Sequence, residues 1–330
     1  NQAAIWRSRR WWGLNYDQPN VLLWGDSRAL QPGLLGFVHS GLRPIKEWVL
    51  NRKFFPVFEF TPESMSRIWE ITKKFQPVFI RGYTTTMYFW ARHLQEKNQL
   101  KEKPDFIKGI ITTSENLYDF QKEAIEEAFG CPVINEYGSM EAGMMSYSCP
   151  AGKKHIMDEN LYLEVVKPEG SGPQDPGEIV VTHLHHLGAP LIRYRVGDLA
   201  VGITRGCPCG SNLRVLEGLL GKSQDTIITP EGKFVLGHLL SITIKSFLGI
   251  TRFRVTQKNV DLIEIQLVLD DEAENFPEGE FVNILKDRVS RRIDFVVSYH
   301  EELEADRSGK YHWIVSEITD EVIEELNRRE

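Results

Sequence analysis

Between Asn20 and Asn135, short apolar runs alternate with stretches of helical periodicity. That alternation requires crossover connections and therefore a largely parallel sheet. Asn20-Val21-Leu22-Leu23-Trp24-Gly25-Asp26 reads as a buried strand ending at a glycine turn. Thr61-Pro62-Glu63-Ser64 is a helix start, with a capping threonine, proline at the first helical position and then an acid. The helix it opens is predicted to end near Phe75. Pro77-Val78-Phe79-Ile80-Arg81-Gly82-Tyr83 follows as a strand and turn, and Met87, Trp90 and Leu94 mark the next helix. Phe106–Thr112 and Pro132–Asn135 are two further strands, separated by a helix over Leu117–Phe129.

The pattern then changes. Leu161–Val166 and Glu178–Thr182 alternate like half-buried strands, joined by Pro168-Glu169-Gly170-Ser171-Gly172-Pro173. That turn lacks the Lys-Ser/Thr ending of a phosphate loop and leads into a strand, so it reads as a hairpin connection. Beyond about residue 220, Arg252–Gln257 and Leu262–Leu269 read as an antiparallel pair, Glu280–Arg291 as a helix and Phe295–Tyr299 as a strand. The expected fold class is α/β: a large mixed α/β domain over 1–220 and a small C-terminal α+β domain over 221–330. The polar stretch Gly221-Lys222-Ser223-Gln224-Asp225 is the junction.

Composition narrows the function classes. A net charge of -7 over 330 residues argues against a general nucleic-acid or anionic-membrane binder, since both rely on surplus Lys and Arg. No apolar stretch approaches the roughly 20 residues needed to span a bilayer, and the start has no secretory core. Four cysteines in the whole chain fit a cytoplasmic protein. The chain begins at Asn1 and not at Met, so it reads as processed, trimmed or a fragment. Ile5-Trp6-Arg7-Ser8-Arg9-Arg10-Trp11-Trp12 has two readings, an amphipathic helix packing its tryptophans or a local nucleic-acid patch, and the acidic remainder favours the first.

Three segments could carry chemistry. Asn135-Glu136-Tyr137-Gly138-Ser139-Met140-Glu141-Ala142-Gly143 follows an apolar run, so it reads as a loop at a strand end. It gathers an aromatic ring, a flexible glycine, a hydroxyl and a carboxylate, the groups needed to stack a base, admit a phosphate and hold its magnesium ion. Pro190-Leu191-Ile192-Arg193-Tyr194-Arg195-Val196-Gly197-Asp198 puts an aspartate after a strand and a glycine, where it could accept two hydrogen bonds from a ribose diol. Alone, the same segment reads as an edge strand with charged residues outward. Arg307-Ser308-Gly309-Lys310 sets a lysine beyond a Ser-Gly turn, able to deliver a point charge to a phosphate or carboxylate. A lone lysine of this kind is ordinarily a solvated surface residue.

In this order the segments resemble the adenylate-forming superfamily of acyl-CoA synthetases and luciferases, and most closely its phenylacetate–CoA ligase and capsular-polysaccharide-biosynthesis branch. Tyr137, Gly138, Ser139 and Glu141 match the motif Tyr-Gly-Ser-x-Glu. Pro190 to Asp198 match Pro-Leu-Ile-Arg-Tyr-Arg-x-x-Asp, and Gly221 to Asp225 stand where the branch has Gly-Arg-Ser-Asp-Asp. Lys310 takes the place of the catalytic lysine after Ser-Gly. Arg81-Gly82-Tyr83 and Ser114-Glu115-Asn116 sit where the branch has acyl-pocket and adenine-side loops. The resemblance implies carboxylate plus Mg-ATP giving an acyl-adenylate, then transfer to a thiol, that of coenzyme A before any other. Tyr137 would stack on adenine, Ser139 would touch the α-phosphate, Asp198 would bind the ribose and Glu141 would hold Mg2+. Lys310 would neutralise charge between carboxylate and α-phosphate, and Gln224 would be the hinge of a mobile lid.

Two departures qualify this. The superfamily's Gly/Ser/Thr-rich phosphate loop has no counterpart in 1–330, so the resemblance implies a large domain lacking its N-terminal part. The hinge carries Lys222 for arginine, keeping charge but losing the bidentate fork, and Gln224 for an acid. An enzyme passing the acyl group to a carrier protein or an amine is the alternative, as is a degenerate relative that binds nucleotide without chemistry. The expected partner is a small carboxylic acid, with neither nucleic acid nor membrane. A homodimer is left open. Phe79, Tyr83, Tyr88 and Trp90 are candidates to line an aryl pocket or to form core.

Cys207-Pro208-Cys209-Gly210, with Cys149 and His155 as a second arm, could form a closed Cys3His zinc set. Cys-x-Cys is tighter than the usual finger spacing, and cysteines are often small buried hydrophobes. The resembled branch includes members with a structural metal here, which favours zinc. His183, His185 and His186 read as solvent-facing or satisfied, and Cys131 as packed.

Overall fold

The computed structural model describes residues 2–25, 44–57, 60–100, 102–222, 226–231, 234–270, 276–304 and 311–318. They fall into two compact units, one running to Leu219 and the other containing the described residues from Leu220 onward. Among the described residues no helix is long and apolar enough to cross a membrane.

The first unit begins with helix α1 (Gln2–Arg10) and five parallel strands: β1 (Asn20–Trp24), β2 (Arg52–Pro56), β3 (Phe79–Tyr83), β4 (Gly109–Thr113) and β5 (Val133–Ser139). Their spatial order is β2-β1-β3-β4-β5, with every neighbouring pair parallel. Helices α2 (Pro62–Phe75), α3 (Thr84–Glu96) and α4 (Asp119–Phe129) make the crossovers. The start of α2 follows its sequence signal: Pro62 occupies the first turn and the Thr61 side chain accepts from the Ser64 N–H. Both α2 and α4 stop at left-handed residues, Gln76 (φ 49°) and Gly130 (φ 67°), whose N–H groups return to Thr72 and Glu126 carbonyls. Trp69, Trp90 and Phe129 are fully buried where these helices meet, with ring centroids 5.5 to 6.1 Å apart. The candidate aryl-pocket residues Phe79, Tyr83, Tyr88 and Trp90 are likewise buried.

At β5 the sheet changes character. β6 (Gly143–Ser148) turns back antiparallel to β5, and β7 (Lys154–Ile156), β8 (Leu161–Val166), β9 (Gly177–His183), β10 (Tyr194–Thr204) and β11 (Val215–Lys222) continue in the order β5-β6-β7-β11-β10-β9-β8. The β8–β9 hairpin pairs Leu163 with Val181, as the alternation requires. Its inward residues join Met145, Ile156, Ala200 and Leu216 in one core. β10 corrects the edge-strand reading of its segment: it lies between β9 and β11, and the edge is β8. Hydrophobic periodicity reports a face, not a neighbour, so edge and interior strands look alike in sequence.

The opening aromatic run also needs correction. α1 turns inward through Ala4, Ser8 and Arg9, whereas Trp6 is 49% exposed. Trp11 and Trp12 pack beyond the helix end, against the cluster of Ala4, Phe79, Ile111 and Ile134. The physical reason is the buried partner of Arg9, described below.

In the second unit, β12 (Thr226–Ile228) and β13 (Phe234–Leu236) form a small hairpin ahead of α5 (Gly237–Lys245). β14 (Ile250–Asn259), β15 (Leu262–Leu269), α6 (Glu278–Arg288), β16 (Asp294–Tyr299) and β17 (Ile314–Ser316) complete it, with strand order β16-β15-β14-β17. The β14–β15 pair is antiparallel, as the sequence predicts. The buried Gln257 amide donates to the Ile228 carbonyl at 2.7 Å and accepts from its N–H at 2.9 Å, so a side chain replaces a ladder partner.

Gly82 is required by packing. A Cβ there would lie 2.9 Å from the Leu23 carbonyl oxygen on β1 and 2.4 Å from the end of Met87 on α3. Gly82→Ala is expected to cost about 1–3 kcal/mol by overpacking, read as a lower urea midpoint; an unchanged midpoint would refute the constraint.

Candidate nucleotide site and cysteine–histidine cluster

Tyr137, Gly138 and Ser139 are not in a loop. They form the last three residues of β5 and pair with β6, with the register slipping between Tyr137 and Gly138. The strand outlasts its apolar run because β6 supplies hydrogen bonds, a non-local effect the run cannot reveal. Gly138 is what lets the strands close: a Cβ would lie 2.4 Å from the Gly143 carbonyl oxygen. The turn follows at Met140–Ala142, where Ser139 Oγ accepts from the Ala142 N–H at 3.0 Å. Met140 is 97% exposed and Glu141 is exposed beside it.

Asp198 lies inside β10, not after a strand. Gly197 takes φ 81°, and the β9–β10 pairing is irregular between Arg195 and Leu199. Asp198 is buried in that irregular stretch, and the Tyr137 hydroxyl donates to its Oδ2 at 2.7 Å. Two motif residues 61 positions apart thus meet directly. Burial first, and then the Asp198 charge, push the Tyr137 hydroxyl far up from its ordinary range, so it remains a donor at neutral pH.

The residue before Tyr137 had no role in the sequence reading. Glu136 has a fully buried side chain, with Arg81 Nε 2.6 Å from Oε2 and Arg9 Nη2 3.3 Å from Oε1. Arg9 is itself 7% exposed, and its guanidinium lies 5.3 Å from the Phe79 ring. Burial works to lower the Arg9 pKa, but Glu136 opposes it and the net direction is upward. Arg81 stacks over Trp24 at 4.9 Å, and Trp24 meets Tyr83 at 4.5 Å. The Arg81-Gly82-Tyr83 segment is therefore strand β3 and not a turn. A sequence signal for Glu136 existed: period-2 alternation sets it on the same face of β5 as the buried Ile134. In the adenine-side candidate loop, Glu115 Oε2 accepts from the Thr85 N–H at 2.7 Å, setting negative charge at the start of α3.

The cysteines converge. Sγ of Cys149, Nε2 of His155 and Sγ of Cys207 and Cys209 all lie within 4.8 Å of one another. Cys149 follows β6, His155 is on β7, and the cysteine pair is in the β10–β11 connection. The Sγ atoms of Cys149 and Cys207 are 3.7 Å apart, too far for a disulfide, and His155 Nε2 is 3.1 Å from Cys209 Sγ. His155 Nδ1–H donates to the Leu213 carbonyl, which leaves the Nε2 lone pair facing the sulfurs. Burial pushes the Cys149 thiol up to about 11. Burial also acts to raise Cys207, but hydrogen bonds from Cys209 and Cys149 outweigh it and lower the thiol. Cys131 is buried, its thiol pushed up to about 12. His183 and His186 stack at 3.8 Å outside the cluster, and His185 donates to the Glu159 carbonyl.

Lys310 and Gln224 lie outside the described residues. Lys222 closes β11, and its side chain also lies outside the description.

Residues 227–317 match the CapK C-terminal domain family. Protein CapK of Staphylococcus aureus is 24% identical over 277 residues, covering 82% of this chain and 59% of that protein. Phenylacetate-coenzyme A ligase of Thermus thermophilus is 29% identical over 114 residues, covering 32% of this chain and 26% of the ligase. The chain thus spans less than two thirds of either relative. The crystal structure of 2-hydroxyisobutyryl-CoA ligase in the postadenylation state, in complex with R3-HIB-AMP, covers 99% of this chain and 71% of the ligase. It shares the fold with a TM-score of 0.69 at 17% identity. The chain is thus similar in sequence to protein CapK and to a phenylacetate-coenzyme A ligase, and it shares its fold with a CoA ligase. The large mixed sheet and the small C-terminal sheet unit are the parts of the fold it has in common with that ligase, built here from the elements above.

Glu136→Gln would leave two mostly buried guanidinium groups facing a neutral amide. An uncompensated buried charge of this kind costs about 3–5 kcal/mol. The expected outcome is that loss in urea denaturation; a cost below about 1 kcal/mol, the range of an exposed pair, would refute the buried geometry.

Proposed function

We propose that the protein activates a small carboxylic acid as its acyl-adenylate, using Mg-ATP, and passes the acyl group to a thiol, that of coenzyme A. The observation that carries this reading is the hydrogen bond between Tyr137 and Asp198. It sets an aromatic ring beside a buried carboxylate, the pair needed to face adenine and bind ribose hydroxyls. The similarity to a CoA ligase in complex with an acyl-AMP supports it.

Each residue then has a role that follows from its chemistry. Tyr137 offers its ring to adenine, while Gly138 removes the Cβ that would hold β6 away. Asp198 offers its carboxylate to the ribose hydroxyls, and Lys222 contributes positive charge. The Ser139 hydroxyl, whose oxygen already accepts from Ala142, has its proton to give to a phosphate oxygen. Glu141 is an exposed carboxylate, the hard oxygen donor that Mg2+ prefers. Lys310 is assigned from its Ser-Gly context: joining two anions is opposed mainly by electrostatics, and a preorganised ammonium relieves that. Residues 1–220 act as the adenylation part and 221–330 as a lid turning at Gln224, a step of the lid-closure type.

The three sulfurs and one nitrogen of Cys149, His155, Cys207 and Cys209 suit a closed tetrahedral zinc set. In this reading the metal staples three segments of the large unit and takes no part in the chemistry.

Carboxylate-dependent ATP–pyrophosphate exchange by the full-length protein is the direct test. Exchange with at least one acid of a broad panel is expected, and Lys310→Ala should lower it by about 10²-fold or more. No exchange across the panel, or full exchange by Lys310→Ala, overturns the reading. For the metal, elemental analysis should find about one zinc per chain, lost in the Cys207→Ser/Cys209→Ser variant together with a lower melting temperature. Protein purified without chelators and free of zinc would remove that assignment.

A further inference from the structure

We propose that Arg9, on the first helix, is a positioning residue for the nucleotide site, acting through Glu136 on Tyr137 and Asp198. This rests on the nucleotide reading of Tyr137 and Asp198 given above.

The argument starts from the strand. Glu136 and Tyr137 are consecutive in β5, so their side chains leave opposite faces of the sheet. On one face, Glu136 is gripped by Arg81 at 2.6 Å and Arg9 at 3.3 Å. On the other, Tyr137 donates to Asp198 at 2.7 Å. Rotation of the backbone at this point moves both side chains together.

The ladder cannot supply this rigidity alone. The β5–β6 register slips directly after Tyr137, between it and Gly138, and Asp198 sits in an irregular stretch of β10. The ion-pair cluster therefore fixes the residue next to Tyr137, while the Tyr137 ring itself packs against the core that holds Ala142 and Met145. The cluster is a firm anchor, because the Glu136 side chain is 0% exposed and that of Arg9 is 8% exposed. A buried carboxylate that loses one of two cations must move toward the other or admit water. With Arg9 removed, Glu136 is left to Arg81 alone, on β3 beyond the intervening β4, and the end of β5 is drawn to that side.

Tyr137 then presents Asp198 to a ribose in one orientation only while Arg9 is in place. The measurable consequence is sugar discrimination. A hydrogen bond to a charged acceptor is worth about a tenfold preference or more for AMP over 2′-deoxy-AMP.

The test uses the full-length protein in wild-type, Arg9→Met and Arg9→Lys forms, each checked for folding by circular dichroism. One readout is calorimetric binding of AMP against 2′-deoxy-AMP. The other is the ¹⁹F shift of 3-fluorotyrosine placed at Tyr137, which reports its hydrogen bond without any nucleotide. Folded Arg9→Met should shift the fluorine signal and lose about tenfold in sugar preference. Arg9→Lys, which keeps the charge, should recover part of both. If Arg9→Met does not fold, Arg81→Met tests the same anchor from its less buried side. Unchanged shift and unchanged preference in a folded variant overturn the proposal. A moved shift in protein whose wild type binds no AMP retains the link from Arg9 to Tyr137 and overturns the nucleotide role instead.

Discussion

One buried carboxylate constrains the whole first unit. Removing Glu136 from water is costly unless cations accompany it, and the two that do come from distant parts of the chain: Arg9 on α1 and Arg81 on β3. The requirement therefore fixes where α1 lies on the sheet. Once α1 is docked by Arg9, the residues just beyond it reach β6 and β7. Trp11 sets its ring edge against His155 at 5.4 Å, and Trp12 Nε1 donates to the Ser148 carbonyl, next to Cys149. The helix and the two residues after it thus touch the supports of both candidate sites.

Both sites also depend on the change of sheet direction at β5. Parallel strands β1, β3 and β4 are largely buried, as crossover topology demands, whereas the edge strand β2 is partly exposed. β5 belongs to that set at its start and to the antiparallel ribbon at its end. Tyr137 sits at the change, where a register slip frees its ring from strict ladder geometry and the β10 irregularity brings Asp198 to its hydroxyl. The cysteine–histidine cluster lies on the same ribbon and joins the end of β6, β7 and the β10–β11 connection. These short segments have little apolar surface of their own, so polar or metal-type cross-links are a natural way to hold them.

Much of the fold was legible because its signals are local. Thr61-Pro62-Glu63 opens a helix wherever it stands, since the cap and the missing proline N–H act within one turn. The β8–β9 hairpin and the β14–β15 pair follow from period-2 alternation on either side of turn residues. The motif residues were legible only as an ordered set, through resemblance to a family. What was misread depended on neighbours in space. The Tyr137–Ser139 segment reads as a loop in sequence because its strand partner, β6, is supplied by the chain that follows. The Pro190–Asp198 segment by itself reads as an edge because nothing in it reveals β11 on its far side. Glu136 went unnoticed because an acid in a strand ordinarily faces solvent, and its two arginines are 127 and 55 residues away.

The sequence by itself determined the alternation of strands and helices, the change to antiparallel pairing, the separate small unit, and the types of residue offered to a nucleotide and a metal. These follow from periodicity, capping and side-chain chemistry, which act over a few residues. Only the tertiary structure decided that the Tyr137 hydroxyl meets Asp198, that four ligand atoms close to within 4.8 Å, and that Arg9 turns inward while Trp6 turns out. Those outcomes are set by the cost of burying charge and by strand pairing across more than fifty residues of chain, and neither is written in any local stretch.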